Sequence, residues 1–137
     1  MAVTLTQTNA WLDRLLQMRL NKGGTLGNLT LKLYTNNHTP VVTDTSAAYT
    51  ECSATGYAAV TLTGASWTGS TSGGVADYTY PTVVFTFTAG LGQTIYGAYL
   101  VDQAGNVSAG LLDTPFAVPA GGGSLDINLE EKQQQCP

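Results

Sequence analysis

Charge is what this sequence has least of. Only 10% of its 137 residues are Asp, Glu, Lys or Arg, against roughly 25% in an ordinary soluble domain. The cations are Arg14, Arg19, Lys22, Lys32 and Lys132, so no Lys or Arg stands between Lys32 and Lys132. Neutralising phosphates takes clustered Lys and Arg, and their scarcity argues against nucleic acid or nucleotides as partners. His38 is the single histidine, and no nucleophile-elbow sequence accompanies it, which argues against a Ser or Cys triad. Cys52 and Cys136 lie too far apart for the close ligand spacing of a zinc site, so neither metal nor cofactor is expected. The start MAVTLTQTNAW has no basic, greasy leader, and two thiols in a reducing compartment are the expected state. The Asn-x-Ser/Thr triplets at Asn28, Asn37 and Asn106 are then not glycan acceptors. No apolar run approaches the roughly 20 residues that cross a bilayer, so no membrane partner is expected.

What is present is a 43% hydrophobic chain rich in Thr and with 16 glycines, of a length that suits one domain, 1–137. From Lys32 to Asp113 the acids are Asp44, Glu51, Asp77, Asp102 and Asp113. The exposed faces must therefore be made of Thr, Ser, Asn, Gln and Tyr, a surface with little charge to repel neighbours and suited to tight assembly.

Trp11, Leu12, Leu15, Leu16 and Leu20 recur at helical spacing, which predicts a helix over 8–22, capped by Thr8 or Asn9 and stopped at Gly23-Gly24. Trp11, Leu12, Leu15 and Leu16 are expected to form a buried face, packed on a β core or on a neighbouring subunit. After Gly27 the period becomes two. Strands are expected over 28–35, 57–63, 82–88, 94–101, 106–112 and 116–118, and in a last run through Leu125, Ile127 and Leu129. The segment 94–101 is apolar or aromatic on both faces, as an inner or interface strand is. Asp102-Gln-Ala-Gly105 reads as a hairpin turn with Gly in the left-handed position; too few carboxylates surround it for a calcium loop. The fold class is mainly β: an antiparallel, jelly-roll-like β-sandwich of about seven to eight strands over 28–129 with one N-terminal α-helix. Residues 36–47 and 69–80 read as long polar loops, and 130–137 as a tail without periodicity.

Paired carboxylates, Asp44 with Glu51 or Asp77 with Asp102, form no motif, and the Gly-rich runs GTLGN and AGGGS lack the Lys-Ser/Thr of a phosphate loop. Tyr49, Tyr57, Tyr78, Tyr80, Tyr96, Tyr99 and Trp67 offer rings for a sugar-binding face, though aromatic strand residues are more often core or interface.

One pattern goes further. Leu31-Lys-Leu-Tyr-Thr-Asn-Asn-His-Thr-Pro40, Tyr49-Thr-Glu51, Gly56-Tyr-Ala-Ala59, Leu62-Thr63 and Ser66-Trp67 resemble the order of elements in small virion proteins of tailed bacteriophages. The match by motif covers the first half of the chain. The resemblance implies a non-enzymatic β-sandwich structural protein, a capsid cement or decoration protein that binds the major capsid protein and itself, with a trimer favoured. It implies assembly in the host bacterial cytoplasm and a place on the capsid exterior. A tail or fibre component contacting host carbohydrate is the alternative, and a carboxylate hydrolase a third reading. The expected oligomer or capsid interface comprises Trp11, Leu12, Leu15 and Leu16 of the helix, Asn36, Asn37 and His38 of the first loop, and Glu130, Glu131, Gln133, Gln134 and Gln135 of the tail.

Overall fold

Thr8 sits where the first short strands give way to the helix, and its hydroxyl serves both sides. A computed structural model of the protein describes residues 1–20 and 27–134. In it the Thr8 Oγ1 accepts from the Trp11 N–H at 3.3 Å and donates to the Val107 carbonyl at 2.7 Å. The first interaction caps the helix, α1 (Asn9–Arg19). The second pins its start to the sheet. The expected stop at Gly23-Gly24 lies outside the described residues.

The period-two segments do form strands. Among the described residues they are β1 (Ala2–Thr4), β2 (Thr6–Gln7), β3 (Leu29–Tyr34), β4 (Val60–Leu62), β5 (Thr68–Ser72), β6 (Val75–Thr79), β7 (Val83–Phe87), β8 (Thr94–Val101), β9 (Val107–Ala117) and β10 (Gly123–Gln134). The protein is mainly β with one N-terminal helix, and its sheet follows the order β4-β3-β8-β9-β1-β10-β6-β5, with β2 also on β9 and β7 also on β10. The sheet curls. Buried residues of β3 and β8 (Leu31, Leu33, Ile95, Leu100) thereby share one core with those of β7 and β10 (Phe85, Phe87, Leu125, Ile127). Each such side chain taken out of water contributes about 1.5 to 3 kcal/mol. Most pairs are antiparallel, but β1 runs parallel to β10, pairing Val3 with Leu129.

Four expectations change. The sheet has ten strands, because short β1 and β2 and polar β5 and β6 add to those that alternate visibly. The segments 106–112 and 116–118 are parts of one strand, β9, which crosses Pro115 where β8 shifts register between Ile95 and Gly97. Residues 69–80 are chiefly a hairpin, β5 and β6 about Gly73-Gly74, in which Gly69 pairs with Tyr78 and Ser72 with Val75. Residues 130–134 are no loose tail: Glu130 pairs with Thr79 and Gln134 with Val75, so β10 continues as the strand between β6 and β1. Backbone pairing needs no apolar alternation, and that is why these polar segments escape the period-two test.

Strand β8 is the inner strand expected, held by β3 on one side and β9 on the other. Its Ala98 and Leu100 enter the main core, while Tyr99 on the opposite face joins Tyr34, Tyr49, Val107 and Ala109 in a second buried cluster.

Candidate functional site

The helix presents two apolar faces. Trp11 is buried and Leu15 half-buried against the main core. Leu12, Leu16 and Leu20 point outward, 45%, 52% and 64% exposed. Of the expected face, Trp11 and Leu15 pack on the chain's own core and Leu12 and Leu16 do not: a helix lying on the curled sheet covers only the stripe beneath it, and these two, with Leu20 four residues further on, lie outside that stripe. Val42, half exposed, meets the first residue of the helix through its carbonyl, which accepts from the Asn9 N–H at 2.8 Å.

The loop after β3 folds back over the outer face of β3, β8 and β9. Asn36 fixes both of its ends, donating Nδ2 to the Ala48 carbonyl at 2.8 Å and accepting at Oδ1 from the Thr50 N–H at 2.7 Å. Asp44 is the hub. One carboxylate oxygen, Oδ2, accepts from the Tyr49 hydroxyl at 2.6 Å and the Val41 N–H at 2.9 Å, and meets His38 Nε2 at 2.8 Å. Burial alone raises this carboxyl, but the hydrogen bonds from Tyr49, Val41 and His38 more than reverse it, and it ends below its ordinary value of 3.8. Tyr49 stacks on Tyr99 with ring centroids 5.0 Å apart and tilts against Tyr34 at the same distance. Burial and then the Asp44 charge push Tyr34 up to about 12, and burial and then Glu51 push Tyr99 to about 12. Tyr34 has room only because residue 97 is Gly: a Cβ there would strike the Tyr34 hydroxyl and the Gly110 carbonyl. This loop is ordered by its own sheet and needs no partner to hold it. Asn37 is exposed, whereas Asn36 and His38 are engaged internally.

At the far end of β10, alternate residues part. Glu130 and Lys132 are on one face, where the Lys132 ammonium lies 2.8 Å from Glu130 and 3.5 Å from Asp77. Glu131 and Gln133 face the other way, toward Trp11, Leu15 and Trp67, and line a cleft with them. Gln134 is paired in the strand, and Gln135 lies outside the described residues. The expected interface residues are thus not gathered on one surface: Leu12 and Leu16 point outward from the helix, Trp11, Leu15, Glu131 and Gln133 line the cleft, Asn36 and His38 are engaged within their loop, Asn37 is exposed, and Glu130 lies on the opposite face of β10 from Glu131.

The candidate carboxylate pairs are not built as pairs. Glu51 binds Lys32 at 2.9 Å and accepts from the Tyr57 hydroxyl at 3.1 Å. Asp102 accepts from the Ala104 and Asn106 N–H groups, both at 2.9 Å, closing the expected turn with Gly105 at φ 85°. The Cys52 thiol is buried and unpaired, donates to Gln93 Oε1 at 3.3 Å, and is pushed up by burial, which makes it an unreactive core thiol. Cys136 lies outside the described residues. Among the described residues no three His, Cys, Asp or Glu side chains gather as a metal site, and no helix is long and apolar enough to cross a membrane.

Sequence reasoning missed Asp44 as a hub and Glu131 as a half-buried acid. For Glu131 a signal existed: it continues the parity of Leu125, Ile127 and Leu129, whose side chains are all buried. For Asp44 there was none, since its partners come together only when the loop closes over the sheet.

The fold defines a mainly-β domain with one N-terminal helix. Comparison of the chain with protein-family models, with curated proteins and with solved structures found no match.

Proposed function

We propose that this protein works by assembly rather than catalysis, as a structural component of a phage virion: a cement or decoration protein that forms a homo-oligomer, with a trimer favoured, and stabilises the head from outside by binding the major capsid protein. The virion assignment and the trimer rest on the first-half resemblance. The assembly reading rests chiefly on the outward stripe Leu12, Leu16 and Leu20, three aliphatic side chains at least 45% exposed on one helix face. Isolated exposed leucines are ordinary, but a row of them along one helix is an apolar strip of the kind that a partner covers. The sparse charge supports the same reading, because neighbouring copies meet little like-charge repulsion.

The test is light scattering and co-sedimentation with empty capsids, using the full chain and a Leu12→Asp/Leu16→Asp variant. The parent chain is expected to be oligomeric at micromolar concentration and to co-sediment. The variant is expected to lose size and attachment while each subunit keeps its β-rich circular dichroism, since neither leucine supports the core. A stable monomer that ignores capsids, with the variant behaving identically, overturns the proposal.

A further inference from the structure

The two ends of the sheet are unlike. At one end β4 has three residues, Val60–Leu62, and is soon followed by a single helical turn at Gly64–Ser66. At the other end β5 has five, Thr68–Ser72, paired with β6 residue by residue without a register shift. Among the described residues β6 is its only partner strand, and every residue of β5 is exposed. Edge strands are ordinarily guarded against pairing with another chain by Lys, Pro, a bulge or shortness. β5 reads Thr-Gly-Ser-Thr-Ser, with no Lys, Pro or bulge and an ordinary strand length.

The hairpin turn decides which backbone groups of β5 face outward. Gly73 and Gly74 are left-handed, with φ 58° and 79°, and Ser72 closes the turn opposite Val75. In such a two-residue turn the closing pair exchanges both backbone hydrogen bonds, and every second pair along the ladder does the same. Ser72, Ser70 and Thr68 therefore turn their N–H and C=O groups to β6, and the Thr79 hydroxyl, which donates to the Thr68 carbonyl at 3.5 Å, agrees with this. Gly69 and Thr71 turn theirs away from β6, to the side on which no strand stands among the described residues. These groups are complementary to themselves. When a second β5 is laid antiparallel with Ser70 on the twofold axis, Gly69 stands opposite Thr71 of the second copy and Thr71 opposite its Gly69, so each outward donor meets an outward acceptor.

We propose that β5 is a docking edge for a second copy of this chain, joined antiparallel about Ser70 so that the two sheets run on as one. Charge permits the contact. Asp77 stands opposite Ser70 on β6 and is met by the Lys132 ammonium at 3.5 Å. The Asp77 residues of the two copies lie three strand spacings apart, about 14 Å, beyond the screening length of about 8 Å at physiological salt. On the other face of the sheet Tyr78, 45% exposed, lies over Gly69, where a Cβ would strike its ring. Thr71 of the second copy stands next to that glycine on the same face, so its methyl group covers a ring that the single chain leaves open. The contact uses none of the Leu12 stripe. It is twofold, so it joins single chains in pairs, or joins in pairs any trimers built on the stripe, and it stands or falls separately from the virion reading.

Single cysteines test the register, introduced into the full chain with Cys136→Ser so that the other thiol is the buried Cys52. Residues facing each other across the axis have Cα atoms about 4.5 Å apart, within the roughly 4.4–6.8 Å that a disulfide spans. Ser70→Cys is therefore expected to give a cross-linked pair on a non-reducing gel once diamide takes up the hydrogens of the two thiols. Ser72→Cys, whose counterpart lies about 14 Å away, is expected to give none. Both positions are fully on the surface, so neither change burdens the fold. Ser70→Lys sets like charges face to face and is expected to halve the mass that light scattering gives for the parent chain at high micromolar concentration. Leu12→Asp/Leu16→Asp is expected to keep the Ser70→Cys cross-link, which separates this edge from the helix stripe. No cross-link at Ser70→Cys, equal cross-linking at Ser72→Cys, a cross-link lost with the stripe, or Ser70→Lys at the mass of the parent overturns the proposal.

Discussion

Asp44 and Glu131 are both acids drawn out of water, and their surroundings treat them in opposite ways. Asp44, with a side chain 7% exposed, is met by three donors at one oxygen, and its carboxyl falls below its ordinary value. Glu131 has one close donor, an open second oxygen and a carboxyl raised by burial above its ordinary 4.5. The first carboxylate organises a loop and improves with ionisation. The second is tolerated on a strand whose backbone pairing holds it in place. A buried charge with its hydrogen bonds complete is a structural fastening, whereas one left incomplete marks a place where the fold has accepted a cost.

Replacing each acid separates the two most sharply. Asp44→Ala leaves the Tyr49 hydroxyl and the Val41 N–H without their acceptor inside the loop. The expected loss is about 3 kcal/mol, the scale for removing one partner of a buried, charged hydrogen-bond group. Glu131→Gln keeps an acceptor for Gln7 and removes a buried charge; stability is expected to stay within about 0.5 kcal/mol or to rise. Urea denaturation of both variants checks the pair, and equal losses would erase the contrast.

Gly97→Ala attacks the Asp44 side of the comparison from beneath. The added Cβ meets the Tyr34 hydroxyl and the Gly110 carbonyl, so the tyrosine must leave the place against which Tyr49 packs. Overpacking of this kind costs about 2 kcal/mol. Near-ultraviolet circular dichroism, which reports the tyrosine cluster, is expected to change along with the denaturation midpoint. A normal spectrum with a normal midpoint means that the ring has room elsewhere.

Much of the fold was legible because most buried strands alternate. Val83, Phe85 and Phe87 point inward with Val84 and Thr86 exposed, and Leu125, Ile127 and Leu129 do the same. Such a pattern states both the strand and its face. The β5–β6 hairpin was illegible by that rule: Thr68 to Ser72 is exposed at every residue, so nothing distinguishes its faces. The Gly73-Gly74 dipeptide, between the Thr/Ser run 68–72 and the Val, Tyr and Thr of 75–79, was the available signal, a two-residue turn joining two short extended segments. The helical period shows the element but not which of its leucines meet this chain's own core, since Leu15 packs there and Leu12 does not. The tyrosine cluster joins residues of β3, β8 and a loop, and no local window contains it.

The pH dependence of stability sharpens the comparison without altering the native groups. The Asp44 carboxyl is lowered on folding, so its contribution is complete above its unfolded value of 3.8 and is lost as pH falls through the lower folded value. Glu131 is raised, so the folded state binds its proton more tightly than the unfolded chain. Its contribution is favourable near and below its unfolded value of 4.5 and disappears as pH rises through the folded value. Stability measured from neutral pH downward is therefore expected to rise first, through Glu131, and to fall only below about 3.8. In Glu131→Gln the initial rise is expected to flatten while the acid limb remains. An unflattened rise assigns the proton uptake to another group.

The smallest expected effect lies one residue from Glu131. Lys132 joins Glu130 and Asp77 on the outer face of the same strand, with its side chain 54% exposed. The ammonium is raised and the Glu130 carboxyl lowered, each chiefly by the hydrogen bond between them, yet water and salt compete freely for both. If the β6–β10 arm is held by the five register pairs from Glu130–Thr79 to Gln134–Val75, this surface pairing adds little to it. Lys132→Gln is then expected to melt within the error of the scan at both low and high salt. A salt-dependent drop in its melting temperature assigns the arm to charge rather than to backbone pairing. In that case the orientation of Glu131, set by strand parity on the opposite face, depends on the ion pair behind it.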